Sequence, residues 1–115
     1  MADGASERQW YSVRCVFRVI NEDGPGDDGG FDYEERLTLW MASSDAQAIA
    51  FAEAEAAEYS SEGIFEYLGI AQSFWLFEPP EDGKEVFSLI RTSDLEPRAY
   101  LDQFFDTGRE NQRPN

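Results

Sequence analysis

Alternation of apolar and polar side chains over two neighbouring segments is the feature that most constrains the fold of this chain. In residues 10–20, WYSVRCVFRVI, the apolar side chains of one parity are Tyr11, Val13, Cys15, Phe17 and Val19. Residues 31–42, FDYEERLTLWMA, alternate in the same way. A period of two is typical of half-buried β-strands. Because residues 21–30 between them are mostly glycine and acid, which is typical of a loop, the sequence predicts a β-hairpin.

The register of this hairpin is predicted from charge. Pairing Val16 with Arg36 places Arg18 opposite Glu34 and Arg14 opposite Thr38. A shift of two residues in either direction would put Arg opposite Arg, which is unfavourable. In the favoured register, the buried face of the second strand is expected to carry Tyr33, Leu37, Leu39 and Met41.

A helix is predicted to follow the hairpin. Ser44 is its expected N-cap, since Gln47 stands at the spacing of a capping box, and Gly63 ends it. Its inner face is expected to carry Ile49, Ala52, Ala56 and Tyr59. Phe51 falls on the outer side near two glutamates, where it is an ordinary exposed residue, a side chain covered by a later helix, or a secondary contact for a partner.

The second half of the chain repeats the order strand, strand, helix. Residues 65–77 predict a third strand, with Leu68, Ile70, Phe74 and Leu76 on its inner face and Tyr67, Ala71, Ser73 and Trp75 on the other. Residues 86–91 predict a fourth strand, with Phe87 and Leu89 inward. A last helix is expected to be capped by Asp94, to hold Pro97 in its first turn and to end at Gly108, with an apolar stripe of Tyr100, Leu101, Phe104 and Phe105.

These elements predict an α+β fold in two layers. The expected sheet is four-stranded and mainly antiparallel, with the helices on one face, in the order ββαββα. Residues 9–108 would form this single domain, between a disordered N-terminus (1–8) and a disordered C-terminal tail (109–115).

Most of the residue types used in catalysis are missing. The 115 residues include no histidine and one cysteine, which excludes Ser–His–Asp and Cys–His arrangements and zinc sites of the His/Cys kind. Cys15 is expected to be a buried, inert thiol. Asp23, Asp27 and Asp28 depart from the spacing of an EF-hand loop, so no metal or cofactor is expected. A hydrolase using paired carboxylates alone stays open.

The formal net charge is −15, from 24 acidic and nine basic residues. Such a surface disfavours direct binding to the nucleic-acid backbone, which needs clustered cations. It suits a protein partner with a basic surface, or serves solubility alone. No stretch approaches the roughly 18 apolar residues of a membrane span, and the single cysteine suits a reducing compartment, so a cytoplasmic protein without a membrane partner is expected.

The predicted sheet gathers all three tryptophans and three of the nine basic residues on the face away from the helices. Trp and Arg are enriched at binding hot spots, and Arg can stack on Trp. The alternative is an ordinary exposed sheet face in which Arg18 pairs with Glu34. The predicted binding face consists of Trp10, Arg14, Val16, Arg18, Arg36, Trp40, Tyr67 and Trp75.

Five blocks in order, WYSVRCVF, YEERLTLW, AIAFAEAEAAEY, EYLGIAQSFWLF and EVFSLIRTSDL, carry a resemblance that spans residues 9–108. The chain resembles a family of small bacterial proteins known only as a domain of unknown function. That resemblance implies a single α+β domain and brings no activity, cofactor or site residue with it.

Two classes of function remain favoured. The leading hypothesis is a small acidic, non-enzymatic protein that binds another protein with a basic surface, in the manner of an immunity protein or an inhibitor. The alternative is a homodimeric scaffold, or a module that binds a small ligand, using the Trp/Arg sheet face. The two differ in their partner, which is a foreign protein in the first case and a second copy or a small molecule in the other.

Overall fold

The structure is a computed structural model that describes residues 7–20 and 30–110. The elements follow the order β1 (Gln9–Val19), β2 (Tyr33–Ala42), α1 (Asp45–Tyr59), β3 (Phe65–Trp75) and α2 (Pro97–Phe104). The three strands form one antiparallel sheet in the order β2-β1-β3, and α1 packs on one of its faces. The α+β class is confirmed. The disorder predicted for 1–6 and 111–115 and the acidic loop at 21–29 lie outside the described residues.

The predicted fourth strand is wrong, and so is the order ββαββα. Residues 85–91 have no regular structure, and the order is ββαβα. A strand joins a sheet through backbone hydrogen bonds at an edge. This segment instead contacts the sheet face: its Val86 backbone carbonyl accepts from the Ser12 hydroxyl, and the rings of Phe74 and Phe87 lie 6.1 Å apart.

The second helix is not on the sheet, contrary to the prediction. No contact joins α2 to α1 or to any strand that the structure describes. Its N-cap is Glu96 rather than Asp94, and the Glu96 carboxylate accepts from the backbone N–H of Ala99 at 2.9 Å. Pro97 does occupy the first turn, where its missing N–H costs nothing.

The predicted start of α1 is confirmed, whereas the helix ends at Tyr59 with Ser60 as its C-cap, shortly before the predicted stop at Gly63. Ser44 Oγ accepts from Gln47 N at 3.1 Å, and Gln47 Oε1 accepts in return from Ser43 N at 2.8 Å. Gly63 follows the helix with a φ of 82°, a conformation that favours glycine. Alanines form the buried stripe of α1, so its backbone lies close to the sheet: Ala48, Ala52 and Ala56.

The core lies between α1 and the central strand β1. Phe17 is completely buried, and its ring lies 5.1 Å from that of Tyr59 and 5.4 Å from that of Tyr67. The other buried side chains of β1 on this face are Tyr11, Val13 and Cys15. The predicted inner face of β1 is therefore confirmed, apart from Val19, which is half-buried near the end of the strand.

The faces of β2 and β3 are the reverse of those predicted. The observed register pairs Cys15 with Arg36, one residue away from the predicted pairing of Val16 with Arg36. Since side chains alternate, a one-residue shift moves every side chain of β2 to the other face. In β3, Tyr67 pairs with Phe17 and faces α1, and Gly69, at a φ of 81°, lies in the irregularity that follows.

Candidate functional site

The predicted binding face is divided between the two sides of the sheet. Four of its residues lie on the face turned away from α1, which we call the open face: Trp10, Arg14, Val16 and Arg18. Arg36, Trp40 and Tyr67 instead face α1. Trp75 pairs with the buried Tyr11, which puts it on the α1 side, at the end of its strand. The predicted single Trp/Arg surface is therefore wrong.

Arg36 is held by α1. Its Nη1 and Nη2 donate to the two carboxylate oxygens of Glu55 at 2.6 and 2.9 Å, and its guanidinium lies 3.8 Å from the centre of the Tyr59 ring. The hydrogen bonds from Arg36 lower the pKa of Glu55, and those same bonds raise the pKa of Arg36. This geometry joins β2 to α1 and occupies the Arg36 guanidinium, which is then not available to a ligand.

Trp40 and Phe51 pack against each other. Their rings lie 6.0 Å apart, and Trp40 Nε1 donates to Thr38 Oγ1 at 2.7 Å. Phe51 is half-buried, with Trp40 as its cover in place of the last helix. The proposed secondary contact at Phe51 is thus a packing residue between β2 and α1.

The surroundings of Tyr67 and Cys15 favour the protonated form of both side chains. The Tyr67 hydroxyl donates to Glu53 Oε2 at 2.7 Å, and burial followed by this hydrogen bond raises the pKa of Tyr67 far above its usual range. Burial likewise raises the pKa of the Cys15 thiol. Because the thiolate is the nucleophilic form, this environment disfavours reaction at Cys15.

The two arginines on the open face are already paired with carboxylates. Arg14 Nη1 lies 3.2 Å from Glu35 Oε1, and its Nε donates to Gln72 Oε1 at 3.0 Å. Arg18 Nη2 lies 2.8 Å from Glu66 Oε1. The predicted partner of Arg18 was Glu34 on β2. The observed partner, Glu66, lies on β3 instead. An anionic ligand would have to displace these carboxylates.

The open face is mainly apolar, which the sequence reading missed. The side chains expected to fill the core are 39% to 51% exposed there: Leu37, Leu39, Met41, Leu68 and Ile70. Leu37 lies opposite Arg14, and Met41 opposite Trp10. The five exposed side chains lie on the two edge strands, on either side of β1. Several exposed apolar side chains on one face of a soluble protein favour an interaction site. The signal available in the sequence was that both parities of β2 carry large side chains.

The C-terminal segment covers one end of the open face. Ser12 is buried beneath Val86, whose carbonyl accepts from its hydroxyl, and the guanidinium of Arg14 lies 5.2 Å from the centre of the Phe87 ring. Leu76, just after β3, is also buried. The exposed apolar side chains of the open face therefore lie on the two edge strands, on either side of this contact.

No group of three or more His, Cys, Asp or Glu residues with the geometry of a metal site occurs within residues 7–20 and 30–110. Two shallow concavities lie along the C-terminal part of the chain. One lies between Phe74, Phe77 and Lys84, and the other is on α2 between Arg98 and Asp106. Both are open to solvent, unlike the enclosed apolar pockets that bind small molecules.

Comparison of the chain with models of protein families, with curated proteins and with solved structures finds no match. Neither described helix is long and apolar enough to cross a lipid bilayer.

Proposed function

We propose that this chain is a small, non-enzymatic protein that binds another protein through its open face. The observation that carries the proposal is the exposure of five large aliphatic side chains on a sheet face that α1 does not cover: Leu37, Leu39, Met41, Leu68 and Ile70. Desolvating apolar surface is the main driving force of protein association, at about 25 cal/mol per Å². A flat apolar sheet suits a protein surface better than a small molecule.

The charges around this face support a partner with a basic rim. Glu35 and Glu66 on the open face are balanced by Arg14 and Arg18. The negative charge that remains comes from the loop after β3, with Glu78, Glu81 and Asp82, and from the net charge of −15. Complementary charge speeds association and selects partners, whereas the apolar centre supplies affinity. This is the arrangement expected of an immunity protein or an inhibitor.

The remaining expectations from the sequence belong to this proposal. A cytoplasmic location is consistent with the single cysteine, which is buried and free. Membership of the bacterial domain-of-unknown-function family that the sequence resembles would be consistent with the single α+β domain. Binding without catalysis is consistent with the absence of histidine from the chain.

Affinity capture from the source cell, at low and at high salt, tests the proposal with two matched variants. Leu39→Glu places a carboxylate on the open face, and Ala50→Glu places the same charge on the exposed side of α1. We expect one partner to be retained by the wild type and by Ala50→Glu, and to be released by high salt. Fully burying an exposed leucine contributes about 1.5–3 kcal/mol. Because Leu39 is already more than half buried, at 43% exposure, binding would bury the rest and contribute about 0.6–1.3 kcal/mol. Leu39→Glu should therefore weaken the affinity by roughly 3- to 10-fold or more. A partner held equally by both variants would contradict the proposal.

A further inference from the structure

A second apolar surface without a partner lies on α2. Leu101, Phe104 and the C-cap residue Phe105 are 37% to 56% exposed, and no residue of this helix is buried. Arg91 contacts its aromatic side chains, with Nη1 donating to the Tyr100 hydroxyl at 3.0 Å and the guanidinium 4.5 Å from the centre of the Phe104 ring. An isolated helix of eight residues is unstable in water, because most helical stability in proteins comes from packing. This helix therefore needs a surface against which to pack.

The same chain offers one surface of matching character. The open face presents exposed leucines and isoleucine, and α2 presents a leucine and two phenylalanines. In the described chain the two surfaces do not meet, because α2 contacts no strand. Val86 and Phe87 lie on the sheet, and the chain then leaves it. We call residues 88–108 the C-terminal arm.

We propose that the C-terminal arm of one copy packs α2 on the open face of a second copy, and that the second copy returns the same contact. The result is an arm-exchanged dimer with two-fold symmetry, a closed arrangement in which both unpartnered surfaces are covered. This inference rests on one part of the proposed function, the use of the open face as a protein-binding surface, and adds a second copy of the chain as an occupant that would compete there with a foreign partner.

The available area is sufficient for a stable dimer. An apolar side chain of this size exposes roughly 150–200 Å² when free. At the observed exposures, one arm and one open face can together bury at most about 700 Å², and the reciprocal pair at most about 1,400 Å². Stable, specific protein interfaces bury about 1,200–2,000 Å² in total, and smaller interfaces form weak complexes. One contact alone therefore gives a weak complex, and the exchange of both arms brings the dimer into the range of stable interfaces.

Charge repulsion opposes this dimer, and it predicts how the affinity of the dimer changes with salt. Each copy carries a net charge of −15, so two copies repel each other at low salt. Salt screens the repulsion, with a screening length of about 10 Å at 0.1 M. The dimer is therefore expected to strengthen as salt is added, whereas the complex with a basic partner weakens.

Sedimentation equilibrium of the full-length chain tests the exchange with one variant on each surface. Leu39→Glu and, as a second open-face variant, Leu37→Glu disable the open face, Leu101→Glu disables α2, and Ala50→Glu is the charge-matched control. We expect the wild type and Ala50→Glu to be dimers at high salt and the other three to be monomers. Urea unfolding of each variant shows that the monomers are still folded.

Mixing the two kinds of monomer distinguishes arm exchange from face-to-face pairing. A Leu39→Glu chain still has an intact α2, and a Leu101→Glu chain still has an intact open face. Their mixture can form one of the two reciprocal contacts, so we expect a mixed dimer that neither variant forms alone, weaker than the wild-type dimer. A mixture that stays monomeric overturns the exchange.

The variants also separate this inference from the proposed function. If the open-face variants remain dimeric, another surface forms the dimer and this inference fails, whereas the proposed function is decided separately by the capture experiment with Leu39→Glu. If they become monomeric while Leu101→Glu stays dimeric, the open face binds protein and only the role of the C-terminal arm is overturned. A wild type that is monomeric at every salt concentration overturns the inference and leaves binding of a foreign partner to the capture experiment.

Discussion

Separating Arg36 from Glu55 tests why β2 turns its charged face toward α1. The two side chains share a pair of hydrogen bonds, and they are only 28% and 29% exposed. Tyr59 lies against the same guanidinium. We expect Arg36→Met to destabilise the fold, mainly through loss of its interaction with Glu55.

The magnitude follows from burial and geometry. Hydrogen bonds to charged groups contribute about 1.5–3 kcal/mol in protected sites. Because both side chains still reach water, we expect a coupling energy of about 1–2 kcal/mol. Lys84–Glu78 is the matched control, with a similar distance of 2.7 Å and exposures of 40% and 62%. For that exposed pair we expect about 0.5 kcal/mol or less.

Double-mutant cycles measured by urea unfolding at neutral pH give both coupling energies. One cycle uses Arg36→Met, Glu55→Gln and their combination, and the control cycle uses Lys84→Met, Glu78→Gln and theirs. A coupling energy for Arg36–Glu55 no larger than that of Lys84–Glu78 would refute the idea that this pair orients β2.

The pair also predicts an acid-dependent loss of stability. Hydrogen bonds from Arg36 hold the pKa of Glu55 below its ordinary value of 4.5. A carboxyl group with a lower pKa in the folded state stabilises the fold fully above its unfolded pKa and loses that contribution as the pH falls through the folded one. Between about pH 5 and pH 3, the wild type should therefore lose more stability than Glu55→Gln. Equal losses would contradict this assignment.

Two further predictions concern the core. Phe17→Ala should lower the free energy of unfolding by about 3–5 kcal/mol, because the Phe17 ring is fully buried. Phe77 is 77% exposed, so Phe77→Ala should change the free energy of unfolding by about 0.5 kcal/mol or less. Urea unfolding of both variants measures the difference. Cys15 is buried and its pKa is raised, so alkylation of the native protein at mildly alkaline pH should be roughly 100-fold slower than in urea, and equal rates would mean that the thiol is accessible.

Local signals in the sequence predicted the elements that depend on neighbouring residues. Ser44 and Gln47 stand three positions apart and cap α1, and Pro97 lies in the first turn of α2. The strand predicted at residues 86–91 was wrong, because this segment alternates like a strand but does not pair with either edge of the sheet. Pairing at an edge depends on distant strands, which alternation alone does not reveal.

The binding face could be predicted only in part. In β1, the buried parity was correct because that strand packs against α1 at its centre. In β2, the apolar parity of Leu37 and Leu39 was the reasonable choice for the core, yet the structure buries Arg36 and Trp40 instead. Glu55 and Phe51, which make that choice favourable, lie 19 and 11 residues away along the chain from these partners.

By itself, the sequence determined the hairpin, both helices and the third strand. It also excluded the catalytic arrangements that need histidine. Tertiary structure alone decided which side of β2 and β3 faces α1, and so turned the expected core residues outward. The physical reason is that a one-residue change of register turns every side chain of a strand to the other face at little local cost. The side chains of α1 therefore decide which face of the strand is buried. The site is thus an apolar sheet face whose two arginines, Arg14 and Arg18, are paired with Glu35 and Glu66.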